Sequence, residues 1–177
     1  MEQQQLYTVT VYSENHVGLL TQIANIFTRS FINIESLTVS ASAINDVHKF
    51  TITCFSDVKA LDKITKQIEK KVEVLKAYYY TEDEVISREI ALFKISTEGL
   101  MAIDAIENLV NKFNAKILEV NRQYTVIEKT GVQDEIKKLY ETLEPIGILQ
   151  FVRSGCVSIT RSKYEHLSDF RLTIDDF

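Results

Sequence analysis

The chain has 177 residues, 45% of them hydrophobic, with a formal net charge of −5 and a pI near 5.3. That length suits one domain or two small ones with a real core, and the acidic balance argues against a general affinity for nucleic acid or acidic membranes. No apolar run approaches a membrane span, and Met1-Glu2-Gln3-Gln4-Gln5 lacks the basic and apolar regions of a signal peptide. Cys54 and Cys156 stand singly in apolar, strand-like sequence, which points to reduced core thiols and a cytoplasmic setting.

Tyr7, Val9 and Val11 alternate with polar residues, so residues 6–13 read as a half-buried strand. Leu20, Ile23, Ala24 and Phe27 recur at helical spacing, and a helix is predicted over 18–30. Residues 32–42 read as a second strand, with a parity shift between Ile34 and Leu37 that suggests a bulge near Glu35-Ser36. A turn at Ala43-Ile44-Asn45-Asp46 leads to a third strand, where Phe50, Ile52 and Cys54 share a face. Asp57 is a candidate N-cap for a helix with Leu61, Ile64 and Ile68 on its apolar stripe, and 72–80 read as a fourth strand. This order is βαββαβ, the ferredoxin-like arrangement of two helices on one face of an antiparallel sheet.

The polar run Thr81-Glu82-Asp83-Glu84 marks a boundary, after which the pattern repeats. A strand at Ile90–Ile95 precedes a helix presenting Ile106, Leu109, Val110 and Phe113. Strands near 115–120 and 123–129 flank a tight turn at Asn121-Arg122. Thr130 is a candidate cap for a helix with Ile136, Leu139, Tyr140 and Leu143; Pro145 and Gly147 end it, and 148–160 supply the last strand. The fold class is therefore α+β, with two tandem ferredoxin-like βαββαβ domains. Domain bounds are expected at 1–80 and 88–161, with 81–87 as linker and 162–177 as a tail of unassigned structure. Each unit is small enough to call for pairing between domains or chains.

The chemistry search is mostly negative. There is no phosphate loop with a following Lys, no H-E-x-x-H, no Cys pair at zinc spacing and no G-x-S-x-G. His16, His48 and His166 are scattered, and no catalytic or metal-binding residue is assigned. An RNA-recognition domain shares this element order, but its third strand should carry aromatics with glycines, whereas His48-Lys49-Phe50-Thr51-Ile52-Thr53-Cys54-Phe55 has none of the glycines. An acylphosphatase-like enzyme would need an Arg in the loop after the first strand, and Ser13 to Gly18 holds neither Arg nor Lys. What stands out is the strand-to-helix turn Asn15-His16-Val17-Gly18-Leu19-Leu20. Gly18, the only glycine in the first half of the chain, permits a positive φ or a close backbone approach. The N–H groups of a first helical turn also attract a carboxylate. A purely conformational role for Gly18 is the plainer alternative.

Asn33-Ile34-Glu35-Ser36-Leu37-Thr38-Val39 resembles the N-I-E-S-L-T-V signature of the small regulatory subunits of acetolactate (acetohydroxyacid) synthase, an ACT-domain family. Glu14-Asn15-x-x-Gly18-x-Leu20, Arg88-Glu89-Ile90-Ala91-Leu92-x-Lys94-Ile95, Arg153-Ser154-Gly155 and Val157-Ser158-Ile159-Thr160-Arg161 match in the family's order across residues 6–161. The family usually has Gly before the aromatic–Asn pair, where this chain has Phe31-Ile32-Asn33.

The resemblance implies an N-terminal ACT domain, a homodimer through these domains, and a branched-chain amino acid bound between protomers: valine, or else leucine or isoleucine. Asn15, Gly18 and Asn33 carry over from the family's ligand site, and His16, Val17, Leu19, Leu20 and Ile34 complete the candidate set. The resemblance also implies no cofactor and no catalysis in this chain. The partner would be a large catalytic subunit holding thiamine diphosphate, Mg²⁺ and FAD, activated by this chain and subjected through it to feedback inhibition in branched-chain amino-acid biosynthesis. A tandem-ACT sensor for another enzyme or for transcription, and a free-standing enzyme on this scaffold, are the alternatives.

Overall fold

A computed structural model describes residues 4–97 and 106–162. The described residues up to Ile86, together with those from Cys156 onward, form one compact unit, and Ser87–Gly155 form a second.

In the first unit β1 (Gln5–Glu14) leads to α1 (Leu19–Arg29), β2 (Ser36–Ala41), β3 (Val47–Ser56), α2 (Val58–Ile68) and β4 (Val74–Thr81). The sheet order is β2-β3-β1-β4, with every neighbouring pair antiparallel. Both helices have eleven residues, too few to persist alone in water, so packing holds them. Leu19, Ile23 and Phe27 of α1 and Leu61, Ile64 and Ile68 of α2 are buried against Val9, Val11, Phe50, Ile52 and Cys54. Each such side chain contributes about 1.5–3 kcal/mol on burial. Asp57 caps α2, accepting the Ala60 N–H at 2.9 Å, as its sequence position suggests.

The heptamer region differs from its sequence reading. The strand begins at Ser36, after a bend at Glu35, and residues 32–35 are irregular. Ile34 packs on the core from this loop, so the parity shift comes from a strand start and not a bulge. Likewise 72–73 precede β4, and Val72 is 94% exposed.

The first helix ends in a Schellman motif: the Ile32 N–H donates to the Phe27 carbonyl and the Phe31 N–H to that of Thr28, both at 3.1 Å. Phe31 occupies the left-handed position usually taken by Gly, with φ +56°. A side chain there costs about 1–2 kcal/mol.

β1 is buried on both faces. Tyr7, Val9 and Val11 face the helices, while Thr8, Thr10 and Tyr12 are also buried. Their cover is the returning segment with β9 (Val157–Thr160). The Lys49 Nζ donates to the Ser158 carbonyl at 2.8 Å, and the Cys156 N–H donates to Ser36 Oγ at 3.2 Å. β9 pairs with β5 (Val85–Ser96), and the Arg161 N–H donates to the Glu84 carbonyl at 2.8 Å. The stretch read as one strand over 148–160 is thus two strands broken at Ser154-Gly155, where Gly155 has φ +80°. The linker sequence is an ordered 3-10 turn: Glu84 Oε2 accepts from the Thr81 N–H at 2.8 Å and from its hydroxyl at 3.0 Å.

In the second unit, β5 continues to Ser96 and α3 (Ile106–Lys112), β6 (Lys116–Val120), β7 (Tyr124–Gly131), α4 (Gln133–Leu143) and β8 (Ile148–Arg153) follow. The antiparallel order is β6-β7-β5-β8, the same βαββαβ topology. Phe93, Ile95, Ile127, Ile136, Leu139 and Leu143 form its core. Asn121 shapes the β6–β7 turn, its Oδ1 accepting from the Gln123 and Tyr124 N–H groups. Thr130 does not cap α4: it lies inside β7, and Val132 is the N-cap. Gly147, at φ +104°, closes the turn after α4. Arg153 makes a two-pronged bond to buried Glu89, at 2.7 and 2.8 Å. The tail beyond Ser162 and the Ile106 side chain lie outside the described residues.

Candidate effector site

Gly18 is the N-cap of α1 with φ +88° and ψ −11°, a left-handed conformation that side chains rarely adopt. A Cβ there would meet nothing within 4 Å, so the glycine serves backbone conformation and leaves the space above the turn open. The Leu19 N–H is held by the His16 carbonyl at 3.3 Å and the Gln22 N–H by that of Gly18 at 3.1 Å. Between them, the N–H groups of Leu20 and Thr21 are the donors that a helix start leaves for an anion. Gly18 has no side chain to cap them.

The turn is pinned to neighbouring elements. The Asn15 N–H donates to the Asp46 carbonyl at 3.1 Å, and the Glu14 N–H to that of Glu73 at 2.9 Å. His16 Nδ1 lies 3.9 Å from Glu73 Oε1, and the buried Ser13 hydroxyl donates to the Glu14 carbonyl, so neither forms a nucleophile–base pair with the other. Leu19 is 1% exposed and anchors the turn in the core, whereas Leu20 is half exposed and Val17 is 94% exposed. Beside Asn15 runs an open groove of about 530 Å³ lined by Glu14, Asn15, Ile44, Asn45, Asp46, Val47 and Leu75. Its apolar members come from the β2–β3 hairpin and from β4, and no periodicity in the sequence links them to Asn15.

Asn33 and Ile34 lie at the other end of the sheet. Asn15 is level with Asp46 and Val47, while the Glu35 N–H, two residues past Asn33, bonds Thr53. From Val47 to Thr53 along β3, at about 3.3 Å per residue, is about 20 Å. The Asn33 Nδ2 donates to Glu35 Oε1 at 2.9 Å, leaving the amide carbonyl free to accept. One chain therefore keeps Asn15 and Gly18 together and holds Asn33 apart from them. Among the described residues, no three His, Cys, Asp or Glu side chains converge as a metal would require. Cys54 and Cys156 are buried thiols outside any disulfide; burial, and then the charge of Glu35, pushes the Cys54 thiol up to about 11.

A βαββαβ sheet with a glycine-capped donor turn after β1 is the architecture of an ACT domain, here followed by a second ferredoxin-like unit. Residues 9–76 match the model of the ACT domain of acetohydroxyacid synthase small subunits, and 88–162 match that of the small subunit of acetolactate synthase. A small subunit from Mycolicibacterium smegmatis is 36% identical over 88% of this chain and 91% of its own length. A probable small subunit from Archaeoglobus fulgidus is 33% identical over 88% and 96%. The crystal structure of the Thermotoga maritima small subunit superposes with a TM-score of 0.82 at 28% identity, covering 90% of this chain and 99% of that one. The chain belongs to the acetolactate synthase small-subunit family. Among the described residues, no helix is long and apolar enough to cross a membrane.

Proposed function

We propose that this chain is the regulatory subunit of an acetolactate synthase, working in the cytoplasm in branched-chain amino-acid biosynthesis. It raises the activity of a large catalytic subunit and makes that subunit responsive to valine. The chain itself is non-catalytic and holds no cofactor; thiamine diphosphate, Mg²⁺ and FAD belong to the partner. Residues 1–80 act as the effector-binding domain, and the unit Ser87–Gly155 acts as the second domain.

The observation that carries this reading is the division of the candidate site between the two ends of one sheet. Among the described residues β2 is an edge strand, paired with β3 alone. If it pairs antiparallel with β2 of a second copy, the two-fold places the partner's Asn33 at the Asn15–Gly18 end. The effector carboxylate then meets the Leu20 and Thr21 N–H groups and the Asn15 amide. The ammonium meets the free carbonyl of the partner's Asn33, and the side chain lies among Val17, Leu20 and neighbouring apolar groups. Valine suits a small pocket of this kind; leucine and isoleucine are the competing effectors.

The test is reconstitution. This chain is mixed with a catalytic acetolactate synthase subunit, and acetolactate formation is followed with and without valine. Activation by the added chain, reversed by valine, supports the reading. A partner whose rate is unchanged by the chain at saturating concentration refutes it.

A further inference from the structure

Three large apolar side chains of the first unit are almost completely bare: Phe31 at 98%, Val17 at 94% and Val72 at 94% exposure. Their placement is not random. Phe31 follows the C-terminal end of α1, whereas Val17 precedes its N-terminal end. Val72 leads into β4, at the edge of the sheet opposite β2. Phe31 and Val17 thus sit at opposite ends of one helix. α1 connects β1 to β2, and α2 packs on β4, so α1 covers the β2 side of the sheet, beside its open edge.

A two-fold axis at that edge turns opposite ends of α1 toward each other. In such an isologous contact, residue i meets residue j and j meets i. Phe31 at one end and Val17 at the other form a self-complementary pair for that symmetry. Phe31 also keeps a left-handed backbone conformation that a bulky side chain avoids, in a motif that glycine would satisfy without it. An aromatic retained there and left in water has no role within its own unit.

We propose that Phe31 packs against the Val17–Gly18 turn of a second copy of this chain, forming an outer wall of the effector site and limiting the size of the amino acid it accepts. The inference rests on the effector reading above for its second half, and on the two-fold alone for its first.

The chain has no tryptophan, so Phe31→Trp supplies a single fluorophore. At micromolar dimer the Trp emission is expected to be blue-shifted and shielded from acrylamide, and to become solvent-like on dilution to monomer. Phe31→Gly removes the wall and relieves the backbone, so it should fold. It is expected to weaken the dimer at least tenfold and to raise leucine affinity relative to valine at least fivefold, both read by calorimetry. A solvent-like Trp emission that ignores concentration while the dimer persists overturns the contact. Leucine-to-valine ratios within twofold of the parent overturn the size-limiting role. A concentration-dependent Trp signal in a protein that binds none of the branched-chain amino acids supports the contact and refutes the effector reading instead.

Discussion

Gly18 is the position where conformation and ligand chemistry can be separated. Its φ of +88° means that an L-residue there costs about 1–2 kcal/mol, with Asn and Asp tolerated best. Since a Cβ would meet nothing within 4 Å, no clash adds to that cost. Gly18→Ala should therefore lower the melting temperature of the first unit by about 4–8 °C per kcal/mol, and Gly18→Asn by less. Gly18→Asp resembles Asn in backbone tolerance and shape but sets a carboxylate above the Leu20 and Thr21 N–H groups. Losing one charge-assisted hydrogen bond to the effector carboxylate costs about 1.5–3 kcal/mol, which is roughly a tenfold to hundredfold loss of affinity. Calorimetry with valine should rank the parent above Asn, and Asn above Asp, while Asp still activates the catalytic subunit. A folded Gly18→Asp protein that binds valine like the parent would refute the assignment of this turn.

Asn33→Ala should weaken valine about tenfold by removing an acceptor for a charged donor, with stability changed by less than about 0.5 kcal/mol because Asn33 is exposed; an unchanged calorimetric titration counts against its role. Cys54 ionises near 9 when unfolded and is pushed up to about 11 when folded, so its contribution is intact below pH 9 and is lost as pH rises from 9 through 11. Over that window stability should fall by about 2–3 kcal/mol, and Cys54→Ala should flatten the slope of urea midpoint against pH. Arg153→Met leaves the Glu89 carboxylate buried without its partner and should destabilise the second unit by about 3 kcal/mol, with Glu89→Gln added to it recovering part of the loss in thermal melts. A chain stopped at Gly155 loses the Lys49–Ser158 and Ser36–Cys156 bonds, about 2 kcal/mol together, and uncovers Tyr12; an unchanged urea midpoint for the first unit would show that β9 is not its cover.

The helix-facing core was legible because it obeys simple periods. Val9 and Val11 at spacing two, and Leu61, Ile64 and Ile68 at helical spacing, each name one buried face. Asp57 was legible because a cap is a local bond. The second face of β1 was not. Thr8, Thr10 and Tyr12 look like the solvated side of a half-buried strand, and what buries them comes from beyond residue 155. Val157-Ser158-Ile159-Thr160 has the composition of any short strand, and its pairing along β5 past the break at Gly155 is a long-range match that local preference does not encode. Thr130 failed as a cap because β7 runs one residue past it, so its backbone was already committed to the ladder with Ile90.

The heptamer Asn33–Val39 is specific because its residues answer to different surroundings. Asn33 projects from the loop before the strand, where its amide is held by Glu35. Ile34 and Leu37 both pack on the helix-side core, but from opposite sides of the bend at Glu35, which is why no single period fits them. Ser36 turns to the other face and accepts the N–H of Cys156, tying the returning segment to the first sheet. Thr38 pairs with Thr51 on that same face, and Val39 stands exposed on the edge strand. A strand needing only a buried side would tolerate any alternating run of β-branched residues. Here one short stretch meets a core, a returning chain, an open edge and the end of the sheet where the candidate ligand acceptor sits, so each position is constrained by a neighbour of a different kind.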